Sequence, residues 1–396
     1  MNIRRVLIRS YLRLKKIFPR KRYLIMTISN KANIPAERPL TPEKEARRMS
    51  FLENEFVSSY ESGNLQAAKK LLCLNINLNQ VTHSGISVIC DAVSNGYFEF
   101  AGAMMDAGAS PHFSGNITGT RFMPPLHYAA FKNNAGFVKK IMEHSLKTME
   151  INDIRMDYKG ISYAAAVNGS ADTLKALLDY GFHPDSHPFE GDMNVTALSE
   201  IAREYKWAKG NKKCDFIRCI KMLIEYGADV NSLDPIKRSP LHVAAYNDAA
   251  YPVAEMLLAA GAKVDLLDGS GETALYIAVK YGASADFFSL LLENGADVNN
   301  GGSHGNYPLM NAVISKNMEL VKFFIEKGAN VNVRNKKGLT PLMMAAKRGL
   351  VEMSRFLLSA GADAYIMDKT GKTVFDMPLP EKMKETFVHM GGKNGD

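Results

Sequence analysis

Five glycines, Gly227, Gly261, Gly295, Gly328 and Gly361, recur at intervals of 34, 34, 33 and 33 residues, each closing an apolar segment. A fixed period of this length makes each interval one small unit that cannot bury its own apolar face and has to stack against copies of itself. The unit is clearest in residues 337–365, KGLTPLMMAAKRGLVEMSRFLLSAGADAY. Thr340 can cap a helix that opens on Pro341, because proline has no N–H to leave unpaired there and its fixed φ already suits a helix. That first helix carries Leu342, Ala345 and Ala346 and stops at Gly349. A second carries Met353, Phe356, Leu357 and Leu358 and stops at Gly361, where a left-handed cap favours glycine. Helices this short are marginal in isolation, so their stability has to come from stacking.

The units share motifs as well as a period. A helix-opening motif stands as SPLH (Ser239–His242) and TPL (Thr340–Leu342), and a closing motif as GADVN (Gly227–Asn231, Gly295–Asn299) and GANVN (Gly328–Asn332). On these residues the chain resembles the ankyrin repeat family. The resemblance implies an all-α fold with short β-turn fingers, a solenoid of about eight repeats plus terminal caps. In such a solenoid the fingers and first helices line a concave groove that normally binds another protein. It also implies that His127 and His242, the histidines of the opening motif, tie adjacent turns together by hydrogen bonds rather than perform chemistry.

In domain terms the expectation is a basic leader and linker over 1–49, the repeat array over 50–390 with its C-terminal cap at about 372–390, and a disordered tail at 391–396. Residues 51–81 read as a worn terminal repeat, with Gly63 ending its first helix. The unit from Gly85 to Gly108 has SVIC where TPLH would stand, which predicts a weaker cap. After PPLHYAA (Pro124–Ala130) the closing motif is lost in 143–153, which reads as a longer finger, and the unit from Gly160 to Gly181 reads as about two residues short in its first helix. The fifth unit opens at TALSEIA (Thr196–Ala202) and carries about ten extra residues, Tyr205–Cys214, expected to leave the stack. SPLHVAA, TALYIAV, YPLMNAV and TPLMMAA open four regular repeats at Ser239, Thr273, Tyr307 and Thr340. After TVFDM (Thr373–Met377), Pro378 and Pro380 interrupt the pattern and 381–390 reads as an amphipathic closing helix.

Charge narrows the function classes. The formal net charge is +8, yet residues 1–25 hold nine Lys or Arg and no acid, which leaves 40 basic residues against 41 acidic ones in the rest of the chain. The body therefore lacks the global positive field that follows a phosphate backbone, and no nucleic acid partner is expected. No apolar run approaches the roughly 18 residues that cross a bilayer. On a helical wheel residues 3–18 form a basic amphipathic helix. That segment admits several readings: a membrane-surface anchor, an organellar presequence, a disordered tail, or an extension upstream of initiation at Met26. A cytoplasmic, monomeric protein is expected, with membrane association or organellar targeting as the alternatives carried by this leader.

No constellation for catalysis, cofactor binding or metal ligation emerges. Cys73, Cys90, Cys214 and Cys219 form no CxxC pair, and Cys214 and Cys219 are not at a standard zinc spacing, so buried or partly buried thiols in a reducing compartment are expected. GGSHG (Gly301–Gly305) lacks the lysine of a phosphate loop and falls at a finger. The aspartates of the GAD motifs recur for turn and stacking reasons. The functional expectation is thus a non-enzymatic interaction scaffold or adaptor, with a membrane-surface adaptor or a protein inhibitor of a partner enzyme as alternatives.

Binding residues are expected where repeats differ, at finger tips and first-helix ends. In the last full repeat these are Arg334, Lys336, Lys337, Leu339, Lys347 and Arg348, five of them cationic, which suits a partner's acidic segment. Earlier repeats offer Ile236, Arg238, Tyr246 and Asn247, then Ser270, Glu272, Lys280 and Tyr281, then Ser303, His304, Asn306, Ile314 and Ser315. Trp207, among Lys206, Lys209, Lys212 and Lys213, reads either as an exposed anchor or as a ring folded back onto Tyr205.

Overall fold

The computed structural model describes residues 41–113, 124–158, 160–187, 195–302, 305–380 and Met383. The basic segment 3–18, most of the proposed closing helix 381–390 and the tail 391–396 lie outside the described residues. The described residues fall into two units that divide between Pro125 and Leu126. They are helical throughout, and among them the β-structure is a single bridge between Val81 and Ser87.

The first unit holds the helix pairs Pro42–Glu61 with Leu65–Leu71 and Val88–Ser94 with Phe98–Asp106. The opening helix starts at Pro42, inside the stretch expected to be linker, and its proline occupies the first turn, where a missing N–H costs nothing. Phe56 and Tyr60 stack on Phe100 with ring centroids 6.3 and 5.7 Å apart, and Tyr60 Oη donates to Asp91 Oδ2 at 2.5 Å. The SVIC start is properly capped: Ser87 Oγ accepts the Cys90 N–H at 3.2 Å.

In the second unit the first helices Ile161–Val167, Ala197–Glu204, Pro240–Ala245, Ala274–Tyr281, Pro308–Ile314 and Pro341–Lys347 pack one on the next in a row. A second row contains Ala171–Asp179, Asn211–Glu225 and Tyr251–Ala259, continued by Ala285–Glu293, Met318–Glu326 and Val351–Ser359. Small residues allow the close approach: Ala244, Ala245, Ala278, Ala312, Ala345 and Ala346 are fully buried. Each first helix of the regular repeats opens in extended backbone, and Ser239, Thr273 and Thr340 accept the N–H three residues on. Gly227, Gly261, Gly295, Gly328 and Gly361 end the second helices with φ between 85° and 91°, a region that costs a side chain strain.

Three expectations are corrected. The stretch 143–153, expected as a lengthened finger, is helical at both ends: Ala135–Ser145 runs into it and the helix Ile151–Asp157 begins within it, from which Arg155 donates to the Tyr180 carbonyl at 2.6 Å. The helix Ile161–Val167 has seven residues, as has Pro341–Lys347, so it is not short; only its opening motif is missing, with Gly160 in left-handed backbone at the capping position. The insertion at Tyr205–Cys214 does not leave the stack whole: the second helix of that unit begins at Asn211 and runs 15 residues, against nine for Tyr251–Ala259, so much of it becomes added helical turn.

Two sets of polar contacts join the repeats. His242 accepts the Ser239 N–H at Nδ1, 3.1 Å, and its Nε2 lies 3.0 Å from the Leu266 carbonyl and 3.1 Å from that of Glu272, tying the helix start to the next finger. Asn231, Asn299 and Asn332 each accept a backbone N–H of the next repeat, from Lys263, Asn330 and Asp363, all at 2.8 Å. Each also donates Nδ2 to a carbonyl there, of Gly261, Gly328 and Gly361. Asp265 takes the same place but can only accept, from the Asp297 N–H at 3.0 Å.

Candidate functional site

The fingers are built alike. Counting from the residue that caps the first helix (Ser239, Thr273, Tyr307 or Thr340), the fifth residue back is Asp234, Asp268, Gly302 or Asn335. Where that residue has a side-chain oxygen, it accepts the N–H groups two and four residues on: Ile236 and Arg238, Ser270 and Glu272, or Lys337 and Leu339. These local turns hold the finger, and their carboxylates are structural first.

On that frame, the repeats that open at Ser239 and Thr273 neutralise their groove cations internally. Arg238 pairs with Asp234 at 2.8 Å and Lys280 with Glu272 at 2.9 Å, and both carboxylate side chains are almost wholly buried. The hydrogen bond to Glu272 holds the Lys280 pKa above its ordinary value. In the last full repeat both carboxylate positions are neutral: Asn335 stands where the others have Asp234 and Asp268, and Leu339 stands where the other has Glu272. Lys347, in the position of Lys280, consequently has no carboxylate beside it.

The result is an open depression of about 580 Å³ in the second unit. Lys336 and Lys337 from the finger and Lys347 and Arg348 from the end of the first helix line it, over a floor that includes Leu339 and Met344. Asn306 and Asn335 complete the wall and bond to each other, Nδ2 of Asn335 donating to Oδ1 of Asn306 at 3.1 Å. All four cations are exposed, and among the described residues none of them makes an ion pair.

The other expected binding residues fall elsewhere. Arg334 is exposed but reaches the next finger, where Nη2 donates to the Met367 carbonyl at 2.7 Å, and it does not line the depression. Tyr246 and Tyr281 meet across two repeats, ring centroids 4.7 Å apart, with Arg238 over the first ring and Lys280 over the second. Trp207 does not fold back: it is 68% exposed with Lys206 Nζ 5.0 Å from its ring, while Tyr205 is buried under Lys213. Cys73 and Cys214 are exposed, contrary to expectation, while burial pushes the thiols of Cys90 and Cys219 up to about 11 and about 12.

Asn335 and Met344 are the part of the site that residue-by-residue reading passes over, and Leu339, though expected there, matters for the charge it lacks. The signal for Asn335 and Leu339 lies in lining up the repeats on their capping residue and looking for missing acids rather than for added bases. Exposed Lys369 and Lys372, from the finger that follows, extend the same sign, and the Lys369 N–H donates to the Lys337 carbonyl at 3.1 Å.

Residues 206–302 and 300–368 match the family model described as ankyrin repeats (3 copies). This stretch is an array of ankyrin repeats. Among solved structures, the ankyrin repeat domain of Bcl-3, titled a unique member of the IkappaB protein family, aligns with 68% of this chain and 100% of that one, at 21% identity and a TM-score of 0.48. No curated protein sequence matches the chain. The ankyrin repeats make this part of the molecule a protein-interaction module. Its basic depression falls wholly inside the matched repeats. Among the described residues no helix is long and apolar enough to cross a membrane.

Proposed function

We propose that the protein is a non-enzymatic scaffold or adaptor that captures an acidic segment of a partner protein in the depression between Lys336, Lys337, Lys347 and Arg348. The observation that carries this reading is the loss of internal counter-charge: Asn335 and Leu339 stand where the repeats opening at Ser239 and Thr273 place Asp234 and Glu272 beside their groove cations. Four exposed cations around one concavity gain little from one another and much from an incoming carboxylate cluster, which they also steer at long range. The apolar floor of Leu339 and Met344 lowers the local dielectric and strengthens each pairing.

Reversing all four charges, K336E/K337E/K347E/R348E, should abolish binding of a fluorescent glutamate-rich peptide to the full chain, measured by anisotropy. The thermal melt should hardly move, because exposed unpaired cations contribute little to folding. Raising salt should weaken wild-type binding through screening. Binding that survives both the reversal and the salt would overturn the reading.

A further inference from the structure

The basic depression is one end of a zoned surface. Its lining positions are the third and fourth residues before the helix cap and the seventh and eighth after it. In the three preceding repeats the side chains at these positions include Ile236, Tyr246, Tyr281 and Ile314. Ile236 is 58% exposed and Tyr281 54%, and Ile314 is 38% exposed. Two cations of this zone, Arg238 and Lys280, are held by Asp234 and Glu272 and lie over the two tyrosine rings. The surface around Tyr246 and Tyr281 is aromatic with its cations paired, and it adjoins a surface that is cationic and unpaired.

We infer that the partner segment is bipartite: an apolar or aromatic anchor that seats against Tyr281 and Ile314, joined in extended conformation to an acidic cluster in the basic depression. This rests on the reading that the depression takes an acidic segment. The spacing argues for an extended chain. The helices Ala274–Tyr281, Pro308–Ile314 and Pro341–Lys347 pack in sequence, so the Tyr281 end of the anchor site stands two helix-to-helix steps, roughly 16–20 Å, from the acid site, with Ile314 on the helix between. An extended segment spans that in about five or six residues.

The test uses the full chain and fluorescein-labelled synthetic peptides read by anisotropy. One peptide carries a glutamate block alone. Others add a pair of leucines separated from that block by a Gly/Ser spacer of about six residues, in both chain directions, or by a spacer of about half that length. With the long spacer, one direction should bind about tenfold tighter than the glutamate block alone, the scale of one well-seated apolar anchor. The gain should vanish with the short spacer, and in Tyr281→Ala and Ile314→Ser, while both variants bind the glutamate block like wild type. Two substitutions at different exposed sites, each checked by its melt, separate lost contact from misfolding. If the glutamate block binds but no leucine-bearing peptide exceeds it, the bipartite inference is overturned and the acidic-segment reading stands. If no peptide responds to reversal of the four charges, the acidic-segment reading itself falls.

Discussion

Asp265 holds the place that Asn231, Asn299 and Asn332 hold in other repeats, and the difference of one amide has consequences. The carboxylate accepts the Asp297 N–H but has nothing to donate to the carbonyl that an asparagine would reach. Burial raises its pKa above the usual aspartate value, against the lowering effect of that N–H. The folded state therefore holds the proton more tightly than the unfolded chain. Any stability from the protonated form is present below the unfolded pKa and lost as pH rises through the folded one, so at neutral pH the charge is a net cost. Asp265→Asn should raise the denaturant midpoint at pH 7 by the equivalent of about 1 kcal/mol, from the relieved charge and the added hydrogen bond. The gain should shrink as pH falls into the carboxylate range. A lower midpoint at pH 7 would contradict this account. The motif itself was legible in the sequence, but the division of labour inside GADVN was not. Asp229 and Asp297 accept N–H groups of their own turns, from Asn231 and Asn299, while the asparagines do the stacking. Asp and Asn offer the same acceptor at similar spacing, so periodicity alone does not separate the roles.

At the level of elements, the first helix of one repeat and the finger of the next have to fit as a pair. Tyr276 stands where the other opening motifs carry His127 and His242, and its ring is buried. The residue opposite is Gly302, which replaces the Asp or Asn of the other fingers; a Cβ there would lie 2.5 Å from three ring atoms. Among the described residues of this finger, backbone bonds make the turn, Gly302 N–H donating to the Asn306 carbonyl and Gly305 N–H to that of Gly302. Gly302→Ala should cost about 1–3 kcal/mol by overpacking. Tyr276→His in the same chain should recover part of that loss, a non-additivity readable in a double-mutant cycle of urea melts. Additive losses would show that the two do not meet in solution. The helices themselves were mostly legible because caps, prolines and glycines punctuate them. Ile151–Asp157 and the extension at Asn211 were not, since both follow places where the closing motif or its spacing is lost and only helical periodicity remains.

At the scale of the molecule, a stack in which each repeat touches only its neighbours confines damage to its vicinity. Ala346 is fully buried in the helix Pro341–Lys347, and Ala346→Glu would place an unpaired carboxylate there at a cost of several kcal/mol. Hydrogen exchange should show lost protection across Pro341–Ser359 with the helices Val88–Ser94 and Phe98–Asp106 unaffected; loss spread evenly over the chain would argue for one cooperative body. The candidate site was half legible on the same principle. Its added charges stand out in one repeat read alone, whereas its missing charges, at Asn335 and Leu339, appear only when repeats are compared. The side-chain bridges that link these repeats also have an end: in the position of Asn332 one repeat on stands Tyr365, which packs against Phe375 and passes no amide forward. Mechanically, then, the array is riveted up to Asn332 and only cushioned beyond it. A load applied from the C-terminal side would meet the soft link at Tyr365 first and the stiff ones after it, so the segment that follows Tyr365 would yield before the repeat that carries the basic depression.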